Sequence, residues 1–194
     1  HSGARIPITI TVNPAPSTPT VSATNTTICQ GQSTTINASG TGAQFFNVYT
    51  ALTGGTLLGT TPLVVSPSTT TTYYVEAVSA QGCANLGGRV PITITVNPAP
   101  ATPTVTATSQ TICEGQSTTI NASGTGATSF EVYTASTGGT LLGTTPLIVS
   151  PTTTTTYFVQ AVSAQGCANL GGRVPITITV NPAPSNPTVN ATNQ

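Results

Sequence analysis

Residues 17–100 and 101–184 are one 84-residue text written twice, with 84 − 13 = 71 aligned positions identical. A block of this length exceeds a solenoid unit and suffices for a domain with its own core, so the chain must fold as two like bodies in tandem. Residues 1–16 match the end of a block and residues 185–194 match the start of one. They are expected to be the last strand of a preceding repeat and the first strand of a following one. The chain then reads as a window on a longer array, or as a subunit whose end strands are donated to its neighbours. His1 is not an initiator Met and no signal peptide is legible, which points to a processed chain or one cut from something longer. Between the blocks, Asn97-Pro98-Ala99-Pro100 is followed by Pro103, a spacing that predicts an extended, stiff connector.

Within one block the apolar residues alternate in short runs bounded by turn residues. Strands are predicted at Pro19 to Asn25, Ser33 to Ser39, Phe45 to Ala51, Leu57-Leu58, Pro62 to Ser66, Tyr73 to Val78 and Ile92 to Val96. Cys29-Gln30-Gly31-Gln32 and Thr53-Gly54-Gly55 read as turns. Where Phe45 and Asn47 stand in the first block, the second has Ser129 and Glu131, so these positions face water and Phe46 and Val48 face the core. By the same alternation Tyr73, Val75 and Ala77 point inward. About seven short strands in some 80 residues predict an all-β fold, two tandem immunoglobulin-like antiparallel β-sandwiches. Tyr73 then stands where such a fold keeps a corner tyrosine, its hydroxyl expected to cap backbone.

Composition agrees. The 194 residues include 44 Thr, 19 Gly and 16 Pro but only 3% charged residues, with no Lys, Asp, Met or Trp. Thr is β-branched and suits half-exposed strands. Net charge is zero and no apolar run reaches the ~18 residues of a membrane helix, so neither nucleic acid nor membrane insertion is expected.

Four cysteines, Cys29, Cys83, Cys113 and Cys167, lie 30 or more residues apart beside a single His, which suits disulfides in an oxidising compartment and not a metal. In the predicted topology the second and sixth strands run parallel in facing sheets. Cys29 lies seven residues before the second-strand middle, Ile36, and Cys83 eight residues after the sixth-strand middle, Val75. The offsets place them near opposite poles, roughly 40 Å apart if fully extended, against the ~7 Å a disulfide tolerates between Cα atoms. This favours an inter-domain Cys29–Cys167 bond, with Cys83 and Cys113 paired to neighbouring domains. The alternative, Cys29–Cys83 and Cys113–Cys167, gives each repeat its own pair.

Several blocks in order carry a family likeness: Ile28-Cys29-Gln30-Gly31-Gln32-Ser33, Phe46-Asn47-Val48-Tyr49-Thr50-Ala51, Thr53-Gly54-Gly55-Thr56-Leu57-Leu58-Gly59, Thr70-Thr71-Thr72-Tyr73-Tyr74-Val75-Glu76-Ala77 and Gly82-Cys83. The chain resembles the Ig-like repeats of very large secreted surface proteins of Bacteroidetes-type bacteria. Such repeats usually carry a Trp on the third strand, where this chain has Val48 and Val132, which implies a smaller core. The resemblance implies adhesins, stalks or surface filaments.

Few residues offer chemistry. Glu76, Glu114 and Glu131 are replaced in the sister block by Gln160, Gln30 and Asn47, so no carboxylate pair recurs, and neither general acid–base catalysis nor a calcium cage is expected. Without Lys there is no Lys–Asn isopeptide staple. Arg5, Arg89 and Arg173 precede the last strand of each copy and are expected to hydrogen-bond loop carbonyls, with pairing to a partner's carboxylate or glycan the alternative. Thr9/Thr11, Thr93/Thr95 and Thr177/Thr179 read as ordinary exposed strand threonines. Asn25, Asn37, Asn121 and Asn190 lie in N-x-Ser/Thr sequons and are candidate glycosylation sites. The expected function is a non-enzymatic, cofactor-free structural segment of an extracellular fibre, filament or adhesin stalk, with adjacent copies as partners. The alternative is an adhesive module whose loops bind glycans or other cells.

Overall fold

The computed structural model describes residues 4–189. The chain divides into two compact units, His1–Asn97 and Pro98–Gln194. In the first, eight strands form in order: β1 (Thr20–Ala23), β2 (Thr27–Cys29), β3 (Thr34–Ser39), β4 (Phe45–Tyr49), β5 (Leu57–Thr60), β6 (Leu63–Val65), β7 (Thr71–Val78) and β8 (Val90–Asn97). They make a three-stranded sheet, β1-β3-β6, and a five-stranded sheet, β2-β8-β7-β4-β5. The second unit repeats this with β9 (Thr104–Ala107), β10 (Thr111–Cys113), β11 (Thr118–Ser123), β12 (Ser129–Tyr133), β13 (Leu141–Thr144), β14 (Leu147–Val149), β15 (Thr155–Val162) and β16 (Val174–Asn181). Its sheets are β14-β11-β9 and β10-β16-β15-β12-β13. Among the described residues no helix is long and apolar enough to cross a membrane.

The alternation read from the sequence sets the core. Ile36, Val48, Val75, Ala77 and Ile94 are fully buried, with Tyr73 and Ile28 close to it, while Phe46, Ile92 and Val96 pack against them from the edges. Each Val or Ile so buried contributes about 1.5–3 kcal/mol of transfer free energy. Val48 fills the third-strand position and is fully buried. Phe45 points out and is half exposed, as its replacement by Ser129 requires.

Four local features depart from expectation. The first strand is not continuous: it breaks after Ala23, and β2 leaves the small sheet to pair with β8 of the large one, in parallel, with Thr27 opposite Thr95 and Cys29 opposite Asn97. The sandwich therefore has one parallel pair and eight strands per unit, not a wholly antiparallel seven. The crossing leaves the Asn25 backbone without a ladder partner. The buried Thr34 hydroxyl supplies one, accepting from the Asn25 N–H at 3.0 Å and donating to its carbonyl at 2.8 Å. Ser109 and Thr118 repeat the contact at 3.0 and 2.7 Å.

The proline run is the second. It does more than connect: Pro100 and Pro103 are buried in the unit that follows, and the Ala101 N–H donates to the Thr125 carbonyl at 2.9 Å. Pro16 and Pro19 are buried likewise, and Ser17 N–H donates to the Thr41 carbonyl at 3.0 Å. The run is the opening edge of its own unit. The third is the end segments. Residues 4–16 and 185–189 form no strand, and Ile6, Ile8, Ile10 and Val12 are 83–88% exposed. The same sequence is already in place as β8 and β16, so both sheets are complete, and a single strand has no ladder to join. The expected Tyr73 cap is also not formed: among the described residues its hydroxyl makes no hydrogen bond, and burial alone raises its pKa.

Candidate functional site

Two constellations recur in both units: the cysteine-bearing ends and an arginine beneath the β4–β5 turn.

Cys29 closes β2 and opens a tight turn. The Gln32 N–H donates to the Cys29 carbonyl at 3.0 Å, and the Gln32 side chain folds back to accept from the Cys29 N–H at 3.1 Å. Gly31 makes the turn at φ +87°, a conformation that costs glycine little. Gln30 N–H donates to the carbonyl of Asn97, tying the turn to the C-terminal end of β8.

Cys83 lies at the other end of the same strand, in the β7–β8 loop. That loop is built and not slack. Ser79 N–H donates to the Cys83 carbonyl at 2.9 Å, the Ser79 hydroxyl accepts from the Cys83 N–H at 3.1 Å, and Ala84 bridges to Val78. Beneath it sits buried Asn85, whose Oδ1 accepts from the Ala77 N–H at 2.9 Å while Nδ2 donates to the Gly88 carbonyl at 2.6 Å. Asn169 holds the same place in the second unit. Asn85 and Asn169 were not picked out from the sequence. A polar residue in a Gly-rich loop carries no periodicity, and nothing in the text marks it as buried.

Cys29 is in register with the last residue of β8, and Cys83 precedes its first. The eight residues between span roughly 23 Å, beyond the reach of any disulfide. Within a unit the two cysteines are therefore not a pair. Cys29 and Cys167 are disulfide-bonded, and Cys83 and Cys113 are free thiols. The Cys29–Cys83 and Cys113–Cys167 arrangement is thus not what forms.

The arginine immediately precedes the last strand, Arg89 before β8 and Arg173 before β16. The Arg89 guanidinium lies 3.3 Å from the centroid of the Tyr49 ring, and Nη1 donates to the carbonyls of Ala51 at 2.7 Å and Gly54 at 2.5 Å. Arg173 repeats this over Tyr133, with Ala135 at 2.7 Å and Gly138 at 2.6 Å. Gly55 completes the turn at φ +71°, where an added Cβ would lie 2.8 Å from the Ala51 Cβ. The fork of Arg is consumed by its own domain. Arg89 also approaches Glu76 at 4.0 Å, whereas Arg173 Nε donates to Gln160 at 3.2 Å. In the second unit alone, Tyr133 donates to Glu131 at 2.6 Å, and that bond, with burial behind it, raises the tyrosine pKa.

The remaining sequence candidates scatter. Glu76 approaches Arg89, Glu131 accepts from Tyr133, and Glu114 accepts from the Ala183 N–H at 3.3 Å. Among the described residues no three of His, Cys, Asp and Glu come together. Thr72 and Thr93 pair across strands at 2.8 Å, as do Thr156 and Thr177, so part of the threonine array is internally engaged. Asn25 is exposed in the β1–β2 break. Asn37 and Asn121 are exposed mid-strand, their amides donating to Thr35 and Thr119 carbonyls at 3.3 and 3.4 Å. Asn190 lies outside the described residues.

A family model described as "Ig-like domain CHU_C associated" matches residues 16–98 and again 100–182. Among solved structures, the Clostridium thermocellum CbhA fibronectin(III)-like modules are 16% identical, covering 89% of this chain and 100% of that one at a TM-score of 0.44. Murine CEACAM1b is 12% identical, covering 84% and 100% at a TM-score of 0.40. No curated protein matches the chain. With two matches in tandem over most of its length, the chain belongs to the CHU_C-associated family of Ig-like domains.

Proposed function

We propose that this tandem Ig-like module is a load-bearing segment of an extracellular bacterial fibre or adhesin stalk, giving length and stiffness, and that Cys29 and Cys167 bond to each other to staple its two repeats. The observation that carries the reading is the state of the cysteines. Each unit keeps its two cysteines at opposite ends of its last strand, one of them oxidised and one free. A domain stabilised for its own sake would close its own pair. The internal use of Arg89 and Arg173 supports the same reading, since the cation of each full repeat serves the fold.

The test is a non-reducing peptide map of the full chain together with electron microscopy of the native assembly. Linked Cys29 and Cys167 peptides and regular filaments or stalks are expected. Native material with four free thiols and no fibrous form would sink the proposal.

One observation favours an adhesive module instead. Phe45 and Leu52 are 49% and 54% exposed on and beside β4 of the first unit, where the second has Ser129 and Ser136. Glycan or cell binding that falls on Phe45→Ser/Leu52→Ser substitution would establish that reading.

A further inference from the structure

We propose that Cys83 and Cys113 are junction thiols, through which copies of this chain link head to tail by a disulfide between Cys113 of one copy and Cys83 of the next. The inference rests on the staple proposed above and extends it from one chain to an assembly.

The repeat makes the cysteines two kinds. Cys29 and Cys113 share one position in the block, and Cys83 and Cys167 share the other. The scaffold presenting each kind is the same in both units. Cys29 N–H donates to Gln32 Oε1 at 3.1 Å and Cys113 N–H to Gln116 Oε1 at 3.0 Å. Cys83 and Cys167 each donate from N–H to a serine hydroxyl at 3.1 Å, Ser79 and Ser163, beside an Ala84–Val78 or Ala168–Val162 bridge. One thiol of each kind is oxidised, and one of each kind is free. The two left over are complementary in kind to each other, as Cys29 is to Cys167. A second copy supplies what each lacks.

Access permits it. Cys113 is exposed, and Cys83 is half-buried with its sulfur 4.0 Å from the Asn13 carbonyl. Because the two kinds occupy different ends of a unit, the contact is heterologous, and a heterologous contact that does not close generates an open chain of copies.

The step balances with a low-molecular-weight disulfide as oxidant. Its exchange with Cys113 gives a mixed disulfide and one small thiol. The Cys83 thiolate of the next copy then attacks the Cys113 sulfur, forming the S–S bond and releasing the second small thiol. Two protein thiols are oxidised and one disulfide is reduced to two thiols.

The experiment incubates the full chain at high concentration with oxidised and reduced glutathione and reads non-reducing gels and peptide maps. Wild type is expected to rise in steps of the 19.3 kDa chain and to collapse with reductant. Cys83→Ser alone and Cys113→Ser alone stay monomeric, while their equimolar mixture stops at a dimer. Neither variant removes an existing disulfide, so the cross-link that holds the fold is not at stake. A wild type that remains monomeric, or ends capped by glutathione, overturns the proposal. So does a Cys83→Ser sample that dimerises as readily as the mixture, since Cys113 would then pair with itself. If the map shows the Cys29–Cys167 link but no ladder, only this inference falls. If that link is absent, both fall.

Discussion

Replacing Arg89 with Ala tests whether the repeated arginine serves the fold or a partner. Its side chain is 12% exposed, stacked on Tyr49 and donating to two turn carbonyls. Each hydrogen bond from a charged donor is worth about 1.5–3 kcal/mol, and stacking on the ring adds about 0.5–2 kcal/mol. Against these stand the roughly 2 kcal/mol of rotamer entropy that Arg loses on ordering and the rehydration of carbonyls at an open turn. The balance is a loss of about 2–4 kcal/mol, a large part of the stability of a domain this size. Each kcal/mol lowers the melting temperature of such a unit by about 4–8 °C. Calorimetry of the full chain carries its own control. Arg89→Ala should lower the transition of the first unit by about 10 °C or more and leave the second in place, and Arg173→Ala should do the reverse. Arg89→Lys keeps the charge but not the fork, and should recover only part of the loss. A shift under about 1 °C in Arg89→Ala would refute the clamp and return the arginine to the adhesive reading.

Three further outcomes follow from the same geometry. Gly55→Ala should cost more than Gly54→Ala: both sit at positive φ, worth about 1–2 kcal/mol for any L side chain, but only at Gly55 does the new Cβ meet Ala51 and Thr50 at 2.8 Å, and equal urea midpoints would refute the difference. Asn85→Ala strips partners from the Ala77 N–H and the Gly88 carbonyl, which at about 1–3 kcal/mol for each group left unpaired should destabilise the first unit and speed amide exchange at Ala77. Tyr133 has a folded pKa above the ordinary 10.0, owing first to Glu131, so its contribution is complete below pH 10 and is lost as pH rises through the raised value; ultraviolet titration should show one more late tyrosine in wild type than in Glu131→Gln, beside Tyr73 and Tyr157, which burial also raises, and identical curves would refute the pair.

What the sequence made legible was whatever alternates. Val75 and Ile94 follow from period two, and Val48 from period two together with the replacement of Phe45 and Asn47 in the second copy; all three are fully buried in the core. Three things were not legible, each for a physical reason. The break between β1 and β2 depends on one threonine hydroxyl satisfying a backbone that crosses between sheets, and in the text Thr34 is one threonine among 44. The docking of Pro100 and Pro103 depends on tertiary contact, because proline sets its own φ but not the surface it meets. Asn85 is buried by the loop it holds up, so its environment exists only after folding. Comparing the two copies supplies the signal that one text lacks. Positions that hold the turn and the cysteine loops (Arg89, Gly55, Ser79, Asn85) are the same in both, while Phe45, Asn47 and Leu52 on and beside β4 differ. The positions that build the turn and the cysteine loops are thus held in both copies, while exposed Phe45 and Leu52 are among the 13 that vary, so the surface on and beside β4 is the first place to look for recognition by this module.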